Sequence, residues 1–385
     1  MPGGALHPVS SLYLHLPFCR SKCPYCDFYS QVGSAEQLNE YVDLLILDMQ
    51  VLAEVRPLTG SLQTIFFGGG TPSLLTVEQV DRLLQQSDRL FRIDTNCEIS
   101  LEANPGTVDE GRLRGYRSAG INRLSLGVQS LCDHQLQLLG RGHTVADVRD
   151  SVALAQDVGF ANMNLDLMFA RPELTCEQLQ GELDDLLALR PQHISLYGLS
   201  YESGTRFAEL RTRRELVEAS DEEYAEQYGL IHDRLVEAGF EHYEVSNFAL
   251  PGFRCRHNQV YWRREACLSV GCGGHSFVAT GWGERWAVPA DLNRYRRCLI
   301  DHRDPAQRLE TFDRQGAMVE TLYLALRTSD GVDCRLFAET FGGLPEELFP
   351  EAFQRLDNHL CRADNRWFFK PSSWLIYDHL ISAFF

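Results

Sequence analysis

Three cysteines lie close together near the start of the chain, in a C-x3-C-x2-C arrangement. Cys19, Cys23 and Cys26 follow an apolar segment, Leu12 to Leu16, that predicts a strand, so their thiols share one short loop. Thiolates are soft ligands that suit zinc and iron-sulfur clusters. Because a structural zinc site takes four ligands, three thiolates favour an iron-sulfur cluster with one iron open to another ligand. A zinc loop completed by His15 or a remote cysteine is the alternative.

Overall composition limits the other functions that the chain can have. Twelve cysteines in 385 residues are far below a disulfide scaffold, and the nine outside the cluster motif are scattered. The formal charge of −17, without any basic run, predicts that nucleic acid is not a partner. The apolar stretch from Leu44 to Leu47 is bounded by Asp43 and Asp48, so it predicts neither a signal peptide nor a membrane span. We expect a folded, cytoplasmic protein.

Six short β-prone segments alternate with segments of helical spacing, and together they predict repeated βα units. Such units form a parallel sheet with right-handed crossovers, and six of them fit an α/β fold with a partial (β/α)6 TIM-like barrel. The predicted strands are Leu12–Leu16, Thr64–Phe67, Glu98–Leu101, Arg123–Val128, Asn162–Met168 and His193–Leu199. The predicted helices are Glu36–Val55, Val77–Leu90, Val145–Val158 and Glu177–Leu189, followed by an acidic helix from about Ser220 to Ala238.

The pattern changes after the sixth strand. We expect the barrel to occupy residues 1–240 and an aromatic, glycine-rich connecting segment to occupy residues 241–304. A smaller C-terminal α+β or helical domain is expected over residues 305–385, because the polar segment from Asp301 to Gln307 is the clearest break.

Polar residues and glycines follow the ends of several predicted strands, where the loops of a parallel sheet gather on one rim. Gly70 and Thr71 belong to a G-G-G-T-P turn in which backbone groups can approach a ligand. Glu102 is either a rim carboxylate that accepts from a ribose or an amine, or a solvated loop residue. Asp166 lies in an apolar strand and needs a polar partner. Gln129, at the end of its strand, has either a binding or a structural role.

The cysteine motif resembles that of the radical S-adenosylmethionine superfamily. In that superfamily the amino and carboxylate groups of S-adenosylmethionine bind the open iron, and an electron from the cluster cleaves the sulfonium to give a 5'-deoxyadenosyl radical. The resemblance implies that Cys19, Cys23 and Cys26 bind a 4Fe-4S cluster, and that Tyr25 packs against adenine.

The order of the motifs resembles the coproporphyrinogen dehydrogenase-like branch of this superfamily. Several positions of the chain line up with residues that contact S-adenosylmethionine in that branch. The positions are Tyr13, Tyr25, Gly70, Thr71, Glu102, Gln129, Arg141, Asp166 and Gly198, with His275 aligned to a further contact of the true dehydrogenase.

Two departures distinguish the chain from the dehydrogenase. Phe28 stands where the dehydrogenase has a fourth cysteine, and residues 257–262 read H-N-Q-V-Y-W, which matches a signature of haem chaperones in the same branch. This resemblance implies haem binding through His257 and delivery of haem to acceptor proteins, membrane-bound ones among them, without porphyrinogen decarboxylation. A lone histidine is more often a hydrogen-bonded core group, so that alternative stays open.

Further partners are implied by the same resemblance: an electron donor protein and, in a homodimer, a second copy. The alternative functions are an oxygen-independent coproporphyrinogen III dehydrogenase and a non-catalytic zinc module. A third departure is the segment after Asp166, which reads M-F-A-R-P-E-L where relatives have a glycine-containing turn. It introduces Arg171, to which the sequence assigns no role.

Overall fold

The computed structural model describes residues 9–56 and 60–385. Strands and helices alternate through the first 240 residues, as the βα pattern predicts. These elements are β1 (Ser11–Leu16), β2 (Phe18–Cys19), β3 (Gln31–Val32), α1 (Ala35–Val55), β4 (Leu62–Gly69), α2 (Val77–Phe91), β5 (Ile93–Ala103), α3 (Glu110–Ala119), β6 (Arg123–Gln129), α4 (Asp133–Leu138), α5 (Val145–Val158), β7 (Met163–Phe169), α6 (Cys176–Ala188), β8 (His193–Gly198), α7 (Arg206–Thr212) and α8 (Asp221–Glu237).

The rest of the chain is built from shorter elements. They are β9 (Glu241–Glu244), β10 (Asn247–Ala249), α9 (Arg256–Trp262), β11 (Leu268–Val270), β12 (His275–Val278), β13 (Glu284–Ala287), α10 (Leu292–Ile300), β14 (Gln307–Thr311), α11 (Arg314–Ala325), β15 (Val332–Asp333), α12 (Cys334–Phe341), α13 (Pro345–Leu348), α14 (Pro350–Arg355), β16 (Leu360–Ala363), β17 (Arg366–Phe369) and α15 (Tyr377–Ile381).

A nine-stranded sheet forms the centre of the molecule, in the order β11-β1-β4-β5-β6-β7-β8-β10-β9. The six predicted strands correspond to β1 and β4 to β8, and they are parallel. Three strands were not predicted: β11 extends the parallel part beside β1, and β10 and β9 add an antiparallel edge beside β8. The cysteine motif lies just after β1, at the carboxyl ends of the parallel strands.

Local sequence explains where the helices on this sheet begin. Five of them start at a Ser or Thr whose hydroxyl accepts from the backbone N–H three residues later, while that later side chain accepts from the cap backbone. The five cap residues are Ser34, Thr76, Thr144, Thr175 and Ser220. The parallel strands are buried on both faces, as the almost fully buried β6 illustrates, so their apolar residues form the core between sheet and helices.

Two small sheets accompany the later helices. One joins β12, β13 and β14, and the other joins β15, β17 and β16. Pairing of β13 with β14 crosses residue 305, and β9 to β11 belong to the central sheet, so the domain divisions at residues 240 and 304 stay predictions. Within the described ranges, none of the helices has the length and apolar character needed to cross a membrane.

A buried carboxylate on α1 fixes the outer edge of the sheet. One oxygen of Asp48 accepts from the backbone N–H of Gly271 and from the hydroxyl of Tyr295, both at 2.8 Å. Nearby, Tyr41 donates to the carbonyl of His15 at 2.9 Å and accepts from the N–H of Cys272 at 2.9 Å. These contacts hold the loop after β11 against the carboxyl end of β1, and so support the cysteine loop.

We expect Asp48→Asn to remove a pH dependence of stability. Burial raises the pKa of Asp48 to about 7, so its ionisation opposes folding as the pH rises from the ordinary carboxyl range through about 7. The asparagine oxygen can still accept both hydrogen bonds and has no charge. Denaturant unfolding should therefore show wild type losing a few kcal/mol relative to the variant between about pH 4 and pH 7. A difference that does not change with pH would contradict this assignment.

Candidate functional site

The cysteine loop is held by the turn that follows β4. The N–H of Gly70 donates to the carbonyl of Leu16, and that of Thr71 donates to the carbonyl of Phe18, both at 2.8 Å. A Cβ on Gly70 would lie 2.6 Å from the carbonyl oxygen of Phe18, so only glycine fits there. These two N–H groups therefore position the cysteine loop. An amino group bound at this turn would donate hydrogen bonds to backbone carbonyl oxygens.

Cys19, Cys23 and Cys26 are half-buried at the rim of the sheet. Burial is the main cause that raises the pKa of Cys26, and the neighbouring thiols of Cys23 and Cys19 raise it further. Among residues 9–56 and 60–385, no three His, Cys, Asp or Glu side chains converge on a point that would suit a single metal ion. In an iron-sulfur cluster each thiolate binds a different iron, so three cysteines of one short loop could together hold one.

Arg141 connects the cysteine loop to the neighbouring strand ends. Its guanidinium lies 3.4 Å from the Sγ of Cys23 and 3.4 Å from the hydroxyl of Tyr25, and it donates to the side chain of Asn104 and, at 3.1 Å, to the carbonyl of Gly127. Burial, the largest cause, raises the pKa of Tyr25 although Arg141 opposes this, so the ring stays neutral. Arg141 therefore joins the cysteine loop to the ends of β5 and β6.

Gln129 belongs to the same group of side chains. An added Cβ on Gly127 would meet the amides of Asn104 and Gln129 and the guanidinium of Arg141 within 2.9 to 3.3 Å, so these three converge there. The amide of Asn104 also donates to the hydroxyl of Thr71 at 3.1 Å. Asn104 was not among the residues predicted for the site, although it follows Glu102 by two residues at the end of a strand.

Two carboxylates face the interior of the curved sheet. Burial, followed by repulsion from Asp166, raises the pKa of Glu102 to about 8, and Glu102 accepts from the N–H of Gly69 at 3.2 Å. Asp166 accepts from the amide of Asn164 at 2.7 Å and from the hydroxyl of Ser125 at 3.4 Å. The position of Asp166 in an apolar strand predicted that its carboxylate would have polar partners. Acceptors of this kind suit the hydroxyls and amino group of a nucleoside ligand.

Two aromatic side chains line the same interior. Burial first, and then the charge of Glu102, raise the pKa of Tyr13, whose hydroxyl lies 3.3 Å from the Nδ1 of His15. Tyr197 belongs to the central strand β8, and it is 44% exposed. Tyr197 directly precedes Gly198 in the sequence, and it is the more exposed of the two.

His275 and Gly198 lie at the margins of the group. His275 is exposed at the start of β12, close enough to His15 for its charge to contribute to a lowered pKa there, after burial. Gly198 faces α8 instead: an added Cβ would lie 2.5 Å from the ring of Tyr224, so this glycine accommodates the tyrosine. The binding roles of both residues stay predictions.

The structure places His257 away from the cysteine loop, at the amino ends of the strands. Its ring is buried, with Nδ1 2.8 Å from the hydroxyl of Thr64 and Nε2 2.8 Å from the hydroxyl of Tyr261. Burial lowers the pKa of His257 to about 3. Glu98 accepts from the N–H of His257 at 3.0 Å and so caps α9. Because both ring nitrogens are engaged, binding iron would require the release of one of them, and this geometry does not support an axial role.

We expect His257→Ala to destabilise the protein by about 2 to 4 kcal/mol, because it leaves a cavity and unpairs the hydroxyls of Thr64 and Tyr261. Thermal or denaturant unfolding measures the loss, and haem titration of the same folded variant separates the two roles. Loss of the haem spectrum with wild-type stability would contradict the core role and support ligation.

Comparison with known proteins identifies the family. The sequence profile of the Radical SAM superfamily matches residues 13–186. Heme chaperone HemW of Synechocystis is 35% identical over 95% of this chain and 87% of its own, and heme chaperone HemW of Haemophilus influenzae is 40% identical over 72% of each chain. The solved structure of coproporphyrinogen III oxidase (HemN) from Escherichia coli covers 98% of this chain and 90% of its own, with a TM-score of 0.83 and 21% identity.

The structural similarity confirms the predicted α/β fold with a TIM-like partial barrel and a smaller C-terminal part. The sequence similarity confirms the resemblance inferred from the cysteine motif and from residues 257–262. The chain belongs to the HemW family within the radical S-adenosylmethionine superfamily.

Proposed function

We propose that this protein is a haem chaperone that binds haem and transfers it to acceptor proteins. The observation that carries the proposal is the identity of 33–40% with proteins named heme chaperone HemW, extending over 94% of the chain in one relative and 95% in another. Phe28 in place of a fourth cysteine and the motif at residues 257–262 agree with it.

The superfamily implies a 4Fe-4S cluster and S-adenosylmethionine, and the residues present suit both. Cys19, Cys23 and Cys26 would bind three irons of the cluster, which supplies an electron to the sulfonium when the cofactors are bound. Arg141 holds a positive charge against the cysteine loop and, with Asn104 and Gln129, orders the adjoining strand ends. The carbonyls of the turn at Gly70 would accept from the amino group of the cofactor. Glu102 and Asp166 offer acceptors for its hydroxyls, beside Tyr13 and Thr71.

Phe28 stands where the dehydrogenase has a fourth cysteine, and this argues against the dehydrogenase alternative. Its ring is 66% exposed beside the cysteine loop and has no group that could replace a fourth thiolate. We therefore expect no anaerobic conversion of coproporphyrinogen III to protoporphyrinogen by the reconstituted protein. Accumulation of protoporphyrinogen would assign the chain to the dehydrogenase instead. The acceptor proteins, an electron donor, a homodimer and a cytoplasmic location belong to the proposal.

Haem titration tests the proposal directly. We expect the purified protein to give a saturable Soret band at micromolar haem, and to lose haem to an added apoprotein that requires it. The acceptor's own spectrum would report the transfer. A control titration with a metal-free porphyrin separates iron ligation from nonspecific stacking on aromatic side chains. Absence of a saturable Soret band would reject the chaperone function.

A further inference from the structure

A chain of buried hydrogen bonds runs from Asp166 toward the amino ends of the strands. Asn164 and Asp166 lie two residues apart on one face of β7, and His193 and Ser195 are their partners in register on β8. Asn164, His193 and Ser195 are each 3% exposed or less. Because buried polar groups cost free energy unless each has a partner, the pattern of partners shows what these side chains hold in place.

The direction of each hydrogen bond follows from a fixed donor at one end of the chain. The backbone N–H of Cys255 can only donate, and its nitrogen lies 3.4 Å from the hydroxyl of Tyr243. Tyr243 therefore has its own proton free for Nε2 of His193, at 2.7 Å. Burial, followed by the charge of Arg123, lowers the pKa of His193 well below its usual range, so the ring is neutral and has one proton. That proton is on Nδ1.

The other end of the chain requires the same arrangement. Nδ1 of His193 donates to Oδ1 of Asn164 at 2.6 Å, and the hydroxyl of Ser195 donates to the same oxygen at 3.1 Å. The amide nitrogen of Asn164 then faces Asp166 and donates to its carboxylate at 2.7 Å. In the reverse orientation the amide oxygen would face the carboxylate, and the two would repel. His193 therefore fixes the orientation in which Asn164 supports Asp166.

The carboxylate of Asp166 keeps acceptor capacity for a ligand. One of its oxygens accepts from Asn164, and the other accepts from the hydroxyl of Ser125 at 3.4 Å. The amide of Asn164 also donates to Ser125, at 2.8 Å. Each carboxylate oxygen has further lone pairs, so both can accept another hydrogen bond. A carboxylate held by two fixed donors loses little freedom when it binds a ligand.

We propose that His193 is a positioning residue, which acts through Asn164 to hold the carboxylate of Asp166 where it accepts from a hydroxyl of S-adenosylmethionine. The inference rests on the proposed function, because that function places Asp166 against the cofactor. His193 itself does not touch the cofactor. Its contribution is the Nδ1 proton, which keeps the amide of Asn164 from turning over.

Isothermal titration of the anaerobically reconstituted full-length protein with S-adenosylmethionine tests the proposal. His193→Asn and His193→Gln form a matched pair, because the asparagine amide can donate from the position of Nδ1, whereas glutamine reaches only the position of Nε2. We expect His193→Gln to raise the Kd about tenfold or more, since Asn164 can then turn its amide and Asp166 loses a charge-assisted hydrogen bond. His193→Asn should restore the Kd to within about threefold of wild type.

A double-mutant cycle with Asp166→Ala separates positioning from general damage to the core. If His193 acts through Asp166, adding His193→Gln to Asp166→Ala should change the Kd by less than about twofold. Tyr243→Phe removes only the hydroxyl that fixes the histidine proton. It should raise the Kd in the same direction, again only when Asp166 is present, and it gives the same test should His193→Gln fail to fold.

His242→Gln is the matched control. His242 is a buried histidine on β9, with one ring nitrogen 2.8 Å from His232 and the other 3.4 Å from the carbonyl of Val245. The control should keep the wild-type Kd for S-adenosylmethionine. Denaturant unfolding and the iron and sulfide content, measured on every variant, should show that the cluster is intact in the proteins being compared.

The outcomes distinguish the positioning role from the function on which it rests. If Asp166→Ala weakens binding but His193→Gln does not, the positioning role is overturned and the cofactor site stands. Equal losses from His193→Gln with and without Asp166, or an equal loss in His242→Gln, would also overturn it in favour of a structural role. If Asp166→Ala leaves the Kd unchanged, or wild type binds no S-adenosylmethionine, the cofactor assignment of the proposed function is rejected, and the positioning role with it.

Discussion

Cys23→Ser is expected to abolish the cluster. The three thiols are the only soft ligands of the loop, and Cys23 is the one that Arg141 approaches, at 3.4 Å from its Sγ. A serine hydroxyl is far less acidic than a thiol and binds iron weakly, so two thiolates would remain for three irons. After anaerobic reconstitution, the wild type should contain about four iron and four sulfide per chain, and the variant almost none.

Cys361→Ser is the matched control, because Cys361 is a similarly half-buried thiol on β16, outside the cysteine loop. We expect the control to keep its full iron and sulfide content and its brown absorption. Equal cluster content in Cys23→Ser and wild type would remove Cys23 from the ligand set. Zinc without sulfide in the wild type would favour the zinc alternative instead.

Regular hydrophobic patterns made the barrel predictable. Most of the six predicted strands are short segments in which apolar residues alternate with polar or small ones, and each of the six overlaps an observed strand. β9, β10 and β11 were not predicted because they have three or four residues and lie among glycines and polar residues. Strands this short carry little periodicity of their own, and their place in the sheet is decided by pairing with distant segments.

The site was predictable only in part, for a related reason. The spacing of the cysteines and the position of Glu102 at a strand end are local features that a sequence displays. Asn104 and Arg141 lie in different loops, and their hydrogen bond depends on how these loops are placed relative to each other. The sequence alone does not reveal that placement. The motif around His257 indicated the family, whereas the role of His257 as a haem ligand stays a prediction, because its ring is hydrogen-bonded in the core. A motif can thus identify a family without showing what each of its residues does.

Arg171, left without a role by the sequence, forms a buried ion pair. Its guanidinium donates to Glu182 on α6 at 2.7 Å, and the side chains of Arg171 and Glu182 are 0% and 7% exposed. Glu182 also accepts from the hydroxyl of Ser130 at 3.0 Å and from the N–H of Leu131 at 2.8 Å. The pair thus ties the loops after β6 and β7 to the same helix, next to the strand ends that carry Gln129 and Asp166.

Arg171→Leu is expected to destabilise the protein by about 3 to 5 kcal/mol, because it leaves the carboxylate of Glu182 buried without its cation. Denaturant unfolding measures the loss. The double variant R171L/E182L should recover much of it, since an apolar pair of similar volume has no uncompensated charge. Arg149→Leu is the matched control: its ion pair with Asp185 is more than half exposed, so its removal should cost less than about 1 kcal/mol. If Arg171→Leu cost no more than Arg149→Leu, the buried pair would not be what fixes these loops.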